Sequence, residues 1–158
     1  MSLTKLIMTD QPKYRLHHSV AYLLSVTSRQ QERRLEDNLK ELGLTRITWC
    51  VLLAVGNEKL VHPSKIADFV GIDRTAMSRA LRQMEAAGMV ARTSGEDDRR
   101  MTAVQLTPKG VELLQQGTPS AVGNNAVIEE CLTQTELAEL RKILHKLRGT
   151  DDVPLNRL

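Results

Sequence analysis

The chain has 158 residues, 41% hydrophobic and 26% charged, enough for one domain, 1–158, with a real core. No run approaches the roughly 20 apolar residues a membrane-spanning helix needs, and the opening MSLTKLIMTD is too short and polar for a signal peptide, so a cytoplasmic protein with no membrane partner is expected. The net charge of +3 permits a polyanionic partner, while only 3% aromatic residues disfavours the stacking platforms of single-strand binders and leaves duplex as the better fit.

In chain order, residues 13–42 read as one long helix. Leu16, Val20, Leu23 and Leu24 fall at helical spacing, Leu35, Leu39 and Leu42 continue the stripe, and Gly43 supplies the stop. Thr45 is an N-cap for a second helix through Val55, with Trp49, Leu52 and Leu53 toward the core and a break at Gly56-Asn57. His62-Pro63 opens a third, short helix with Ile66, Ala67 and Val70 as its apolar side. Gly71-Ile72 turns the chain, and Asp73 caps a fourth helix that runs to Ala87 and ends at Gly88.

Val90 to Thr93 and Thr102 to Leu106 have strand character, the second alternating Thr102, Val104 and Leu106 on one face. Thr107-Pro108 begins a fifth helix. The stretch GTPSAVG at 117–123, with two glycines and a proline, predicts a kink or break in it. Thr133-Gln134-Thr135-Glu136 is a capping box for a last helix with the stripe Leu137, Leu140, Ile143, Leu144 and Leu147, and the tail DDVPLNRL reads as loose.

Two short helices followed by two strands joined by a charged turn are the order of a helix–turn–helix with a wing. On a wheel of about 100° per residue, Met77, Ala80, Leu81 and Met84 share one arc of the fourth helix. Thr75, Ser78, Arg79 and Arg82 fall on the other side, with Arg74 near the N-terminus. Such a helix is anchored by its apolar face and presents arginines and hydroxyls outward. Arginine can bond guanine bidentately, hydroxyls can meet bases or phosphates, and the N-terminal end of the dipole favours a phosphate. In the turn, Arg99 and Arg100 can reach a groove or the phosphate backbone, yet Glu96, Asp97 and Asp98 beside them would repel DNA. Asp98 is therefore assigned an internal bond that aims Arg100 outward. The candidate DNA-contact set is Ser64, Lys65, Arg74, Thr75, Ala76, Ser78, Arg79, Arg82, Asp98, Arg99 and Arg100.

Other chemistries find little support. There is no glycine-rich phosphate loop, nucleophile elbow or metalloprotease motif, so an enzyme is not expected. His17, His18, His62 and His145 lack metal spacing beyond the adjacent pair, and Cys50 and Cys131 make no zinc site, so neither metal nor cofactor is expected. Cys50, inside Trp49-Cys50-Val51-Leu52-Leu53, reads as a small buried hydrophobe.

The segment resembles the MarR family of winged helix–turn–helix transcriptional regulators. The resemblance rests on Gly43-Leu44-Thr45 before Trp49, on Asp73-Arg74-Thr75 through Ser78-Arg79 and Leu81, and on Gly88-Met89-Val90. Asp98-Arg99-Arg100 and Leu106-Thr107-Pro108-Lys109-Gly110 complete it. It implies a mainly α fold with a small β wing and N- and C-terminal dimerisation helices. Residues 13–43 and 108–148 would form an obligate homodimer, and 45–107 the DNA-binding region. It also implies that Arg74 to Arg82 enter the major groove and Arg100 the adjacent minor groove, on a pseudo-palindrome with half-sites roughly 34 Å apart. The GTPSAVG stretch departs from the smoother helix of the family.

Many relatives release DNA on binding small aromatic anions. Tyr14, Arg15, His17 and His18 open the first helix, and arginine can fix a carboxylate while tyrosine or histidine bonds a phenol. The candidate ligand set is Tyr14, Arg15, His18 and Trp49, for a phenolic carboxylate; a plainly solvated helix start is the competing reading. No cysteine occupies the first helix, where a redox-sensing relative would carry one. The expected function is a ligand-responsive repressor that binds duplex DNA as a homodimer. The alternative is a winged-helix protein–protein module without DNA readout.

Overall fold

The computed structural model describes residues 13–94 and 102–149. The wing-tip residues Asp98, Arg99 and Arg100 and the tail DDVPLNRL therefore lie outside the described residues. The order is α1 (Val20–Lys40), α2 (Arg46–Gly56), α3 (Pro63–Val70), α4 (Arg74–Ala86), β1 (Val90–Ser94), β2 (Thr102–Leu106), α5 (Pro108–Glu129) and α6 (Gln134–Leu147).

The first helix starts later than its apolar spacing suggests. Leu16–His18 form a separate 3-10 turn, and Ser19 is extended at φ −73°, ψ 124°. Its side chain accepts from the Tyr22 amide, as serine does at an N-cap. A local hydrogen bond thus overrides a stripe that spans the break. Gly43, at φ 69°, takes the left-handed turn that closes the segment.

α2 is apolar almost all round, and such a helix belongs in the middle of a fold. Trp49, Val51, Leu52, Ala54 and Val55 are buried, while Leu53 is half-buried against the same core. Thr45 caps it reciprocally with Thr48: the Thr45 amide donates to Thr48 Oγ1 at 2.8 Å and the Thr48 amide to Thr45 Oγ1 at 3.2 Å. Around α2 the core gathers Leu39, Ile66, Met77, Leu81, Met84, Val90 and Val104.

β1 and β2 pair antiparallel with Val90 opposite Leu106 and Arg92 opposite Val104. The chain before α3 adds one more rung, the Val104 amide donating to the Val61 carbonyl at 2.8 Å. That extension has no alternating pattern of its own.

The expected break at GTPSAVG does not occur: α5 runs unbroken through Gly117, Pro119 and Gly123. Gly117 is buried against the Trp49 ring, where a Cβ would lie 2.5 Å from the nearest ring carbon. It is there for close approach rather than for a bend. Pro119 denies the Gln115 carbonyl its helical donor, but both residues are exposed, where water can replace it.

α6 begins at the expected capping box. The Thr133 amide donates to Glu136 Oε2 at 2.8 Å, and the Glu136 amide to Thr133 Oγ1 at 3.3 Å. The Thr133 amide and hydroxyl hold the Glu136 carboxyl below its ordinary 4.5. A carboxyl with a depressed folded pKa stabilises above its unfolded value and loses that contribution as pH falls through the folded value. Glu136→Gln is therefore expected to flatten the fall in Tm on acidification from pH 4.5 downward. Parallel curves for the two proteins would deny the box any net stability.

Candidate nucleic-acid interface

Asp73 starts α4 by accepting from the Thr75 and Ala76 amides at 2.7 and 2.9 Å on one carboxylate oxygen. Two of the helix's orphan donors are thereby satisfied. Met77, Ala80, Leu81 and Met84 are buried, which fixes the rotation of the helix. Arg74, Thr75, Ser78, Arg79 and Arg82 are exposed, Ala76 is half-buried, and Ser64 and Lys65 are exposed in the first turn of α3. The division of α4 into faces is the one its sequence predicts. Arg82 lies along its own helix, Nε donating to the Ser78 carbonyl at 3.3 Å.

The end of α4 is gripped from the start of α5, a joint that sequence reasoning missed. Thr107 Oγ1 donates to the Gly88 carbonyl at 2.6 Å and accepts from the Gly110 amide at 3.1 Å. Lys109 Nζ donates to the Ala87 carbonyl at 2.8 Å. The Thr107 amide donates to the Met89 carbonyl at 3.2 Å. Carbonyls left over at the end of a helix need such partners. The Leu-Thr-Pro-Lys-Gly run is thus a joint between α4 and α5, whereas its sequence reveals only a cap and a first-turn proline. The α4 end is tied to the hairpin as well: Arg92 Nε donates to Glu85 Oε2 at 2.9 Å, and Arg92 Nη2 bonds the same oxygen. The guanidinium holds the Glu85 carboxyl below the usual carboxylate range.

The candidate ligand residues lie in unlike settings. Tyr14 is 75% exposed, Arg15 and His18 are exposed, and Trp49 is buried between α2 and α5. The His17 ring meets Tyr22 edge-on with centroids 5.1 Å apart. Cys50 is half-buried, and burial pushes its thiol up against the pull of Arg46. A raised pKa leaves little of the reactive thiolate. A separate cavity of about 330 Å³ lies between α2, β2 and α5, with Val55, Val104 and Leu114 in its wall. Among the described residues no group of His, Cys, Asp and Glu could hold a metal, and no helix is long and apolar enough to cross a membrane.

Comparison with known proteins agrees with this arrangement. Residues 42–101 match the model of the MarR family. The HTH-type transcriptional regulator SarZ of Staphylococcus saprophyticus is 31% identical over 98 residues, 62% of this chain and 67% of that protein. A mutant MarR from E. coli, solved with operator DNA, superposes with a TM-score of 0.73 at 23% identity, over 80% of this chain and 91% of that one. Bordetella bronchiseptica BpsR, whose DNA binding is regulated by 6-hydroxynicotinic acid, reaches a TM-score of 0.78 at 21% identity, over 87% of this chain and 99% of that one. With the hairpin set directly behind a helix that shows its basic side outward, these likenesses establish that the chain belongs to the MarR family of winged helix–turn–helix, DNA-binding transcriptional regulators.

Proposed function

We propose that the protein acts in the cytoplasm as a homodimeric repressor on a pseudo-palindromic operator. The observation that carries this reading is α4, buried by Met77, Leu81 and Met84 and open to solvent along Arg74, Ser78, Arg79 and Arg82. In this reading Arg74, Thr75, Ala76, Ser78, Arg79 and Arg82 meet the major groove, and Ser64 and Lys65 meet phosphates. Arg100, aimed by Asp98, meets the adjacent minor groove, and Arg99 beside it meets the groove or the phosphate backbone. Residues 45–107 form the DNA-binding region.

The helices outside it, 13–43 and 108–148, pair the two copies. Val20, Leu23 and Leu24 of α1 and Ile143, Leu144 and Leu147 of α6 are all more than a third exposed. Clustered apolar surface of this kind calls for a partner. A second copy brings the two α4 helices to half-sites roughly 34 Å apart. Release follows binding of a small aromatic or phenolic anion, for which Arg15, Tyr14 and His18 offer a cation and hydrogen-bonding groups, with Trp49 as the apolar member. The regulation of BpsR by 6-hydroxynicotinic acid supports that ligand class.

Selection of bound sequences from a random duplex pool, followed by anisotropy at two salt concentrations, tests the reading. A palindrome bound by a dimer is expected, with affinity falling steeply as salt rises because phosphate contacts release counterions. A folded dimer that enriches nothing in the presence or absence of a phenolic acid would overturn it in favour of a protein-contact module. Arg79→Ala is expected to relax base preference by about 1–3 kcal/mol at one position per half-site. Equal loss on all sequences would make Arg79 a phosphate contact instead.

A further inference from the structure

The reading face of α4 ends in an acid. Ser78, Arg82 and Glu85 follow one another at i, i+4 and i+7, so Glu85 continues the stripe that carries the basic and hydroxyl groups. An unpaired carboxylate there would oppose the approach of phosphates. It is not unpaired: two guanidinium nitrogens of Arg92 bond one of its oxygens.

Arg92 comes from β1, where side chains alternate between faces. It shares the inward face with Val90, and its register partner Val104 is wholly buried. Its stem therefore belongs to the core side of the hairpin, and its head reaches across to α4. About a third of each side chain is exposed, 31% for Arg92 and 38% for Glu85. The pair joins the two parts that must meet DNA at a fixed mutual angle, the helix and the wing.

We propose that Arg92 and Glu85 are positioning residues that lock the wing against the reading helix, Arg92 acting through Glu85 rather than on DNA. The proposal rests on the reading of α4 as the helix that enters the groove. It predicts an unusual sign. Removing an acid from a DNA-facing surface strengthens binding if charge alone matters. Removing this acid releases the wing and weakens binding instead.

The test measures affinity for the selected duplex, with hydroxyl-radical footprinting, for wild type, Glu85→Ala, Arg92→Gln and the double exchange Glu85→Arg with Arg92→Glu. Glu85→Ala and Arg92→Gln are expected to bind about three- to five-fold more weakly, with protection lost in the minor groove flanking each half-site and kept in the major groove. The double exchange, which restores the pair and leaves net charge unchanged, is expected within about two-fold of wild type. Thermal midpoints and dimer state, measured on every variant, guard against an unfolding artefact in the single variants. If Glu85→Ala binds as tightly as wild type or tighter, or if the exchange binds worst of all, the lock is overturned; a loss confined to variants that lack Arg92 would then make Arg92 a direct phosphate contact. If wild type binds no duplex, the reading of α4 falls and the lock falls with it.

Discussion

Trp49→Ala is expected to destabilise the fold by about 3–5 kcal/mol, the cost of truncating a fully buried large aromatic residue. Trp49 is 2% exposed and lies where α2 meets α5. The face it packs against is the backbone of Gly117, so closely that a Cβ there would lie within 2.5 Å of the ring. Two rigid surfaces in contact cannot collapse into the space the ring leaves, which places the cost in the upper part of that range. A domain's whole stability is about 5–15 kcal/mol, so the variant stands near the edge of folding. Urea unfolding followed by far-UV circular dichroism is the suitable measurement, because Trp49 is the chain's single tryptophan and its fluorescence leaves with it. A loss under about 1 kcal/mol would mean that α5 relaxes onto α2 and that the Gly117 contact carries little.

Gly110→Val is expected to cost about 3 kcal/mol or more and to weaken DNA binding in whatever fraction still folds. Replacing a helical glycine normally helps: valine recovers a few tenths of a kcal/mol of helix propensity. At this position a Cβ would stand 2.1 Å from the Met89 carbonyl oxygen. The obstacle is backbone, and that carbonyl already accepts from the Thr107 amide at 3.2 Å. Overpacking against groups that cannot change rotamer reaches or exceeds the usual 1–3 kcal/mol, so the clash outweighs the propensity gain several-fold. The strain falls on the joint where Thr107 and Lys109 hold the end of α4, and the reading helix shifts with it. Unfolding midpoints and duplex affinity, measured on the same preparation, test both halves. A variant as stable as wild type would show that the α4–α5 joint has room the static packing hides.

The start of α1 illustrates where periodicity misleads. Leu16, Val20, Leu23 and Leu24 keep helical spacing across Ser19, yet Ser19 caps a new helix after a separate 3-10 turn. The apolar stripe reports which residues seek cover, not whether the backbone between them is continuous. GTPSAVG misleads the other way. Two glycines and a proline weaken a helix locally, but packing of Gly117 on Trp49 holds α5 in one piece.

What the chain determines by itself is what three or four neighbouring residues can settle between them. Thr45, Asp73, Thr107 and Thr133 cap the helices that follow because each side-chain oxygen needs only an amide two or three positions on. Gly43, Gly71 and Gly88 end segments because glycine enters the left-handed region cheaply. The faces of α4 follow from its own spacing, so the candidate reading surface was legible before any fold was known. The tertiary structure decided every feature whose partner is distant along the chain: the Gly117 backbone beneath Trp49, the Val61 rung on β2, the clamp of Thr107 and Lys109 on α4, and Arg92 reaching Glu85. Such contacts form only after separate elements have packed, and a side chain's type says what it can bond but not which surface will be brought within reach.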